Sequence, residues 1–349
     1  MSSRVRLFVV ICVVSGAALA WILWRNAPAA AIPASAPATV AEPATPPPTS
    51  QTVSLPAAPV APPTHKIFFR STNPTQHYGE LAFVEYPGLL KPQYQAQWNC
   101  EVAYFAGGKG SCLTADRGVF TTYAADIFDA GFKKLFSIPL SGIPSRTRVS
   151  PNGRLAAVTV FVTGHGYDSV DFTTQTSLID TTTGKIVADM ESFTVSKDGQ
   201  PFTAKDFNFW GVTFASDNDR FYSTLSSNRQ HYLIQGSVKA RTARVIHENV
   251  ECPSLSPDGT RIGYKKRLPG DRVIWQIQVL DLRTMAETAL AERRSVDDQL
   301  EWLDDAQLLY SLPHGDQPGP STDVWVASAD GRVPPKVFLA NAYSPSVGR

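Results

Sequence analysis

Residues 254–264 read Ser-Leu-Ser-Pro-Asp-Gly-Thr-Arg-Ile-Gly-Tyr, and residues 149–157 carry a weaker copy, Val-Ser-Pro-Asn-Gly-Arg-Leu-Ala-Ala. In each copy a large apolar residue precedes a tight polar turn, and a strand-like run follows. Asn152-Gly153 and Asp258-Gly259 are the turn residues. Asp and Asn bond their own backbone, and Gly accepts a left-handed conformation, so such pairs close hairpins. A turn recurring in one local context points to an internal repeat.

Aligning the chain on that turn gives six starts, preceded by Leu113, Val149, Phe214, Leu255, Trp302 and Tyr343. The starts are separated by 36, 65, 41, 47 and 41 residues. Four of these spacings suit one four-stranded propeller blade, about 40–50 residues. Short runs rich in β-branched and aromatic residues follow each turn, such as Arg154 to Phe161, Ile277 to Asp281 and Val324 to Ala327. Helical periodicity is weak throughout, and residues 283–294 are neutral between helix and strand. The long gap holds Val195-Ser196-Lys197-Asp198-Gly199, expected to form a hairpin extending the outer edge of that blade; a seventh, degenerate blade is the alternative.

The last start lies a few residues from the C-terminus, so its blade has only an innermost strand of its own. Residues 66–70, 80–86 and 101–105 are expected to complete it. The fold class is therefore all-β, a six-bladed β-propeller closed by strands from both termini, which leaves only short protected edges.

These repeats resemble the TolB-type propeller repeat of bacterial envelope proteins, over roughly residues 66–349. Leu255 to Tyr264 and Val149 to Ala157 carry the resemblance. It implies a periplasmic propeller that binds other proteins. The α/β domain that precedes the propeller in TolB has no counterpart, and a Pro/Ala-rich segment stands there instead.

Three regions are expected: a signal anchor or signal peptide (1–25), a disordered linker (26–64) and the propeller (65–349). Residues 7–24 form an uncharged run of 18, with Arg4 and Arg6 before it and Arg25 after it. That length is at the short end for a membrane span, and the preceding arginines place the N-terminus in the cytoplasm. The expected location is the inner membrane, with the propeller in the periplasm. Cleavage after Ala18-Leu19-Ala20, giving a free periplasmic or secreted protein, is the alternative. Eleven of residues 26–64 are Pro. Such a segment buries no core and favours polyproline II, reaching about 120 Å when extended.

Cys100 and Cys112 flank the turn Gly107-Gly108-Lys109-Gly110 and are expected to form a disulfide, which export permits. Cys252 is then an unpaired core residue. The net charge of +1, with no basic stripe, argues against nucleic acid. Nucleophile elbows, P-loops, dinucleotide fingerprints and zinc spacings are all missing, so no catalytic residue, metal or cofactor is expected. Gly164 to Ser169 gathers His165, Asp168 and Ser169, but neighbours along one loop are rarely oriented as a relay.

Strand alternation places Cys112, Arg148, Thr213, Ser254, Glu301 and Ala342 on the channel side of the inner strands, with Arg148 and Glu301 the charged pair. Phe209 and Trp210 are expected either at a rim, as a partner site, or packed between blades. The favoured function is a monomeric, membrane-tethered platform docking another envelope protein. The alternatives are a metal-dependent lyase or hydrolase acting on an envelope saccharide or lactone, and a module recognising cell wall or a small ligand.

Overall fold

The computed structural model describes residues 64–349 apart from residues 165, 168–171 and 316–320. The expected membrane segment lies outside these residues, as does all but the last residue of the linker. Among the described residues no helix is long and apolar enough to cross a membrane.

The chain enters through β1 (His65–Ser71), β2 (Glu80–Tyr86) and β3 (Gln93–Asn99). The first complete blade follows as β4 (Val102–Ala106), β5 (Lys109–Arg117), β6 (Thr121–Asp129) and β7 (Lys134–Leu140). The second is β8 (Ile143–Val149), β9 (Leu155–Thr163), β10 (Thr173–Asp180) and β11 (Lys185–Asp189). A hairpin, β12 (Thr194–Lys197) and β13 (Gln200–Phe202), precedes the third, which comprises β14 (Asn208–Phe214), β15 (Arg220–Ser227), β16 (Gln230–Ser237) and β17 (Thr242–Glu248). The fourth is β18 (Glu251–Leu255), β19 (Arg261–Arg267), β20 (Trp275–Asp281) and β21 (Glu287–Ala289); the fifth is β22 (Glu301–Trp302), β23 (Gln307–Pro313), β24 (Thr322–Ser328) and β25 (Lys336–Leu339). The final strand, β26 (Ala342–Gly348), pairs with β1, so the sixth blade has the order β26-β1-β2-β3.

Blades stack face on face, so their strands are buried on both sides and lose the simple alternation of a half-exposed sheet. Every residue of β15 after Arg220 is buried. Apolar clusters fill the six spaces between neighbouring blades. The space between blades two and three holds Leu178, Phe209, Phe221 and Leu225; that between four and five holds Ile277, Trp302, Leu308 and Tyr310. The β12–β13 hairpin lies on the outer edge of the third blade, with β12 parallel to β17. Residues 283–294 contain β21 and no helix.

Two of the six expected repeat starts are out of register. In the first blade the innermost strand is β4, and the turn after it is Gly107-Gly108 rather than the polar stretch after Leu113. Cys112 therefore sits in the second strand, and Gln93–Asn99, not residues 101–105, completes the sixth blade. In the sixth blade Ser344 and Pro345 lie inside β26 and not at its end, so Ala342 starts the strand.

The repeated turns also hold the ring together. The Asn152 side chain accepts from Arg154 N and Ser150 Oγ, and the Asp258 carboxylate accepts from Thr260 N and Ser256 Oγ. Each turn then donates one backbone N–H to the matching turn of the next blade: Asn152 N to Asn218 Oδ1 at 3.1 Å, and Asp258 N to Asp305 Oδ1 at 2.9 Å. Gly153 and Gly259 both have positive φ, 72° and 71°. A Cβ on Gly259 would meet open space, whereas one on Gly153 would lie 2.3 Å from Gly107 O of the first blade. Gly259→Ala should therefore cost about 1 kcal/mol, the left-handed penalty alone. Gly153→Ala should cost about 2–4 kcal/mol, because backbone must also move. Urea unfolding of the two variants checks the ranking, and equal losses would mean the turns do not interlock.

Candidate functional site: the two ends of the channel

All six inner strands run the same way, so the channel has two different ends. One end carries the turns joining first and second strands. The other carries the loops joining second and third strands and the crossovers between blades. These are called here the turn end and the loop end.

At the turn end the structure brings Arg148, Ser254 and Glu301 together. Arg148 lies 3.2 Å from Glu301 Oε2 and donates to Ser254 Oγ at 3.1 Å and to Leu300 O at 2.8 Å. With its amide turned so that the oxygen faces the guanidinium, Gln299 accepts from Arg148 Nε and Nη2 as well. Glu301 accepts from the Tyr104 hydroxyl at 3.1 Å and from Val347 N at 3.3 Å, and faces Arg349 at 3.6 Å. Burial pushes the Tyr104 hydroxyl well above its ordinary pKa, keeping it a donor. Thr213 lines the same cavity of about 300 Å3, and its Oγ1 accepts from Leu255 N. Tyr104 takes the place expected for Cys112, which is instead bonded to Cys100.

The loop end holds a second set of charges, which sequence reasoning missed. Bulges in β14 and β18 bring Gly211 (φ 65°) against Cys252 (φ 49°), where a Cβ on Gly211 would lie 2.7 Å from Cys252 Cα. Bulges re-aim the residues beside them. Around this point Lys265 Nζ lies 2.6 Å from Asp297 Oδ1, and Arg146 lies 3.4 Å from the same oxygen. Lys265 is fully buried, with its ammonium 4.4 Å from the centre of the Trp275 ring. Burial opposes its charge, but Asp297 keeps its pKa raised. In return Lys265 and Arg146 hold the Asp297 carboxyl below its ordinary range, against the cost of desolvation.

Glu251 accepts from Trp275 Nε1 and Arg267 Nε, and lies 4.0 Å from His231, whose pKa burial lowers. Arg146 Nε, Glu251 Oε2 and Trp210 Nε1 are buried without a hydrogen-bond partner. A legible signal existed for one member: Arg146 lies two residues before Arg148 on β8 and so shares its channel side.

Phe209 and Trp210 are fully buried; they pack between blades, with Trp210 against Tyr167 and Phe172. The exposed apolar side chains lie elsewhere. Tyr78 (46% exposed), Val119 (95%), Phe120 (83%), Val162 (52%) and Ile274 (41%) sit in or beside loops joining second and third strands, at the loop end; Leu89, Met285 and Val333 lie in turns at the opposite end, and Ile186 and Val337 on outer strands. Among the described residues no group of three or more His, Cys, Asp or Glu side chains is placed to share a metal ion. The loop end thus sets buried, mutually paired charges beneath several exposed apolar side chains.

No family model matches the sequence. No curated protein matches it either. Solved structures do. TolB from Acinetobacter baumannii superposes with a TM-score of 0.57 at 14% identity, over 82% of this chain and 67% of that one. A chain of a nidogen–laminin complex gives 0.51 at 9% identity, over 82% and 98%. A TolB-assigned protein from Agrobacterium tumefaciens gives 0.48 at 12% identity, over 79% and 88%. The described residues are thus a six-bladed β-propeller with TolB-type propellers among its structural neighbours.

Proposed function

We propose that the protein is a membrane-tethered propeller of the bacterial cell envelope that docks another envelope protein on its loop-end face. The observation that carries this reading is that, among the described residues, five of the ten exposed large apolar side chains, Tyr78, Val119, Phe120, Val162 and Ile274, lie at that end, against Leu89, Met285 and Val333 at the other. Apolar side chains concentrated on one face mark interaction surfaces, and a few aromatic anchors dominate their energetics. The TolB-like fold supports an envelope role, and the Cys100–Cys112 disulfide suits an oxidising compartment. The apolar run at residues 7–24 supports the tether.

The test places a photo-crosslinking residue in the full-length, membrane-bound protein. Positions Phe120 and Ile274 probe the loop end, and Met285 and Val333, in turns at the opposite end, serve as controls. One discrete adduct with the same envelope protein is expected from the first pair and none from the second. Adducts from the control pair alone, or none at all while a known partner pair crosslinks in the same cells, would refute the docking face.

A further inference from the structure

At the loop end a groove of about 570 Å3 crosses blades two, three and four. Lys205, Arg229 and Arg267 line it, with His231 in its wall. Among the described residues neither Lys205 nor Arg229 makes an ion pair or a side-chain hydrogen bond. Arg267 is held in place through Glu251 and the Tyr167 carbonyl. Among the described residues the single carboxylate of the lining, Asp206, is engaged at both oxygens by Ser227 Oγ and Asn228 N, bracing the β15–β16 turn. Among the described lining residues cations are thus in excess, two of them uncommitted.

Arg229 is presented to the groove by a tight turn. It and Asn228 form the two-residue turn between β15 and β16, with φ of 59° and 48°. Such a turn needs left-handed backbone at both central positions and favours Asn-Gly. Here arginine stands where glycine is the unstrained choice. The strain is borne at the position that presents a guanidinium to the groove.

From these observations we infer that the groove binds an acidic segment of a partner protein, its carboxylates met by Lys205, Arg229 and Arg267. This rests on the docking reading above and names the chemistry of the partner. A peptide fits better than an acidic polysaccharide. Sugar rings need an open aromatic face, but the two phenyl rings of the lining are engaged within the protein, Phe172 with Phe161, Tyr167 and Trp210, and Phe207 with Phe202 and Phe209.

The experiment titrates the purified full chain with a dye-labelled deca-glutamate peptide at low ionic strength, with alginate as the polysaccharide probe. Saturable peptide binding that weakens with salt is expected. Lys205→Gln/Arg229→Gly should bind about tenfold more weakly. Because glycine suits the turn, Arg229→Gly should unfold at the same or a higher urea concentration, which separates lost binding from lost folding. Lys185→Gln/Lys239→Gln removes the same charge from turns at the opposite end and should bind as the parent does.

No peptide binding, equal weakening in both double variants, or tighter alginate binding through Lys205 and Arg229 would each overturn the proposal. The crosslinks keep the two readings apart. Loop-end adducts with an inert groove would leave docking intact and refute the acidic segment. Peptide binding at the groove without cellular adducts would do the reverse.

Discussion

Arg148→Met is expected to lower the free energy of unfolding by about 3 kcal/mol, the low end of the range for stripping one partner from a buried ion pair. The side chains of Arg148 and Glu301 are 6% and 1% exposed. Removing the guanidinium leaves a buried carboxylate whose desolvation is no longer offset by its nearest cation. The loss stays at the low end because Tyr104, Val347 N and Arg349 still face Glu301. Arg148→Met/Glu301→Leu removes both charges and should lose less than the sum of the single variants, with a coupling of about 1–3 kcal/mol. Equilibrium denaturation of the four proteins at matched m-values measures this cycle. Additivity within about 0.5 kcal/mol would mean that the two side chains do not act on each other, whatever their separation. The network spans blades one, two, four, five and six. It was read in the sequence as a lining, and the structure shows its polar groups already largely committed to one another.

What was legible in the sequence depended on local chemistry. The turns at Asn152-Gly153 and Asp258-Gly259 were visible because Asx side chains and left-handed glycine are demanded within four residues. Arg148 and Ser254 follow by counting back from those turns, and Thr213 and Glu301 from the aligned starts preceded by Phe214 and Trp302. The first and last blades escaped because their turns lack that chemistry. Gly107-Gly108 carries no Asx residue, and Ser344-Pro345 imitates the motif inside a strand. Gln93–Asn99 was overlooked as a strand because, as the sixth blade's outer edge, only Trp98 among its seven residues is buried. The loop-end charges were hidden for a different reason. Lys265 and Asp297 meet only through the ring, 32 residues apart, and no spacing rule reports such a pair. The groove cations are likewise set on separate segments, Lys205 and Arg229 on two loops and Arg267 at the end of β19. Closure by the two ends could be argued from topology, but the chemistry that closure assembles could not.

Reducing the Cys100–Cys112 bond, or replacing both residues by alanine, is expected to lower stability by about 2–3 kcal/mol. The two cysteines are 12 residues apart, and a loop that short confers slightly less than the chain-entropy value for a 15-residue loop. The position makes the loss specific. Cys100 lies on the crossover from β3 to β4, where the blade built from both ends of the chain hands over to the first complete blade. Both sulfurs are fully buried among Phe68, Phe83, Trp98 and Phe128, so the bond fastens the space between those two blades. Unfolding should therefore begin there. In the reduced protein Trp98, which donates its indole N–H to Phe132 O, should become solvent-exposed at lower urea than the rest of the ring unfolds. Tryptophan fluorescence alongside far-ultraviolet circular dichroism, in a Cys252→Ala background that prevents thiol exchange, measures both effects. Trp98→Phe identifies the fluorescence that belongs to this site. A loss below about 0.5 kcal/mol, or transitions that coincide for both probes in the reduced protein, would show that β26–β1 pairing closes the ring without help from the disulfide.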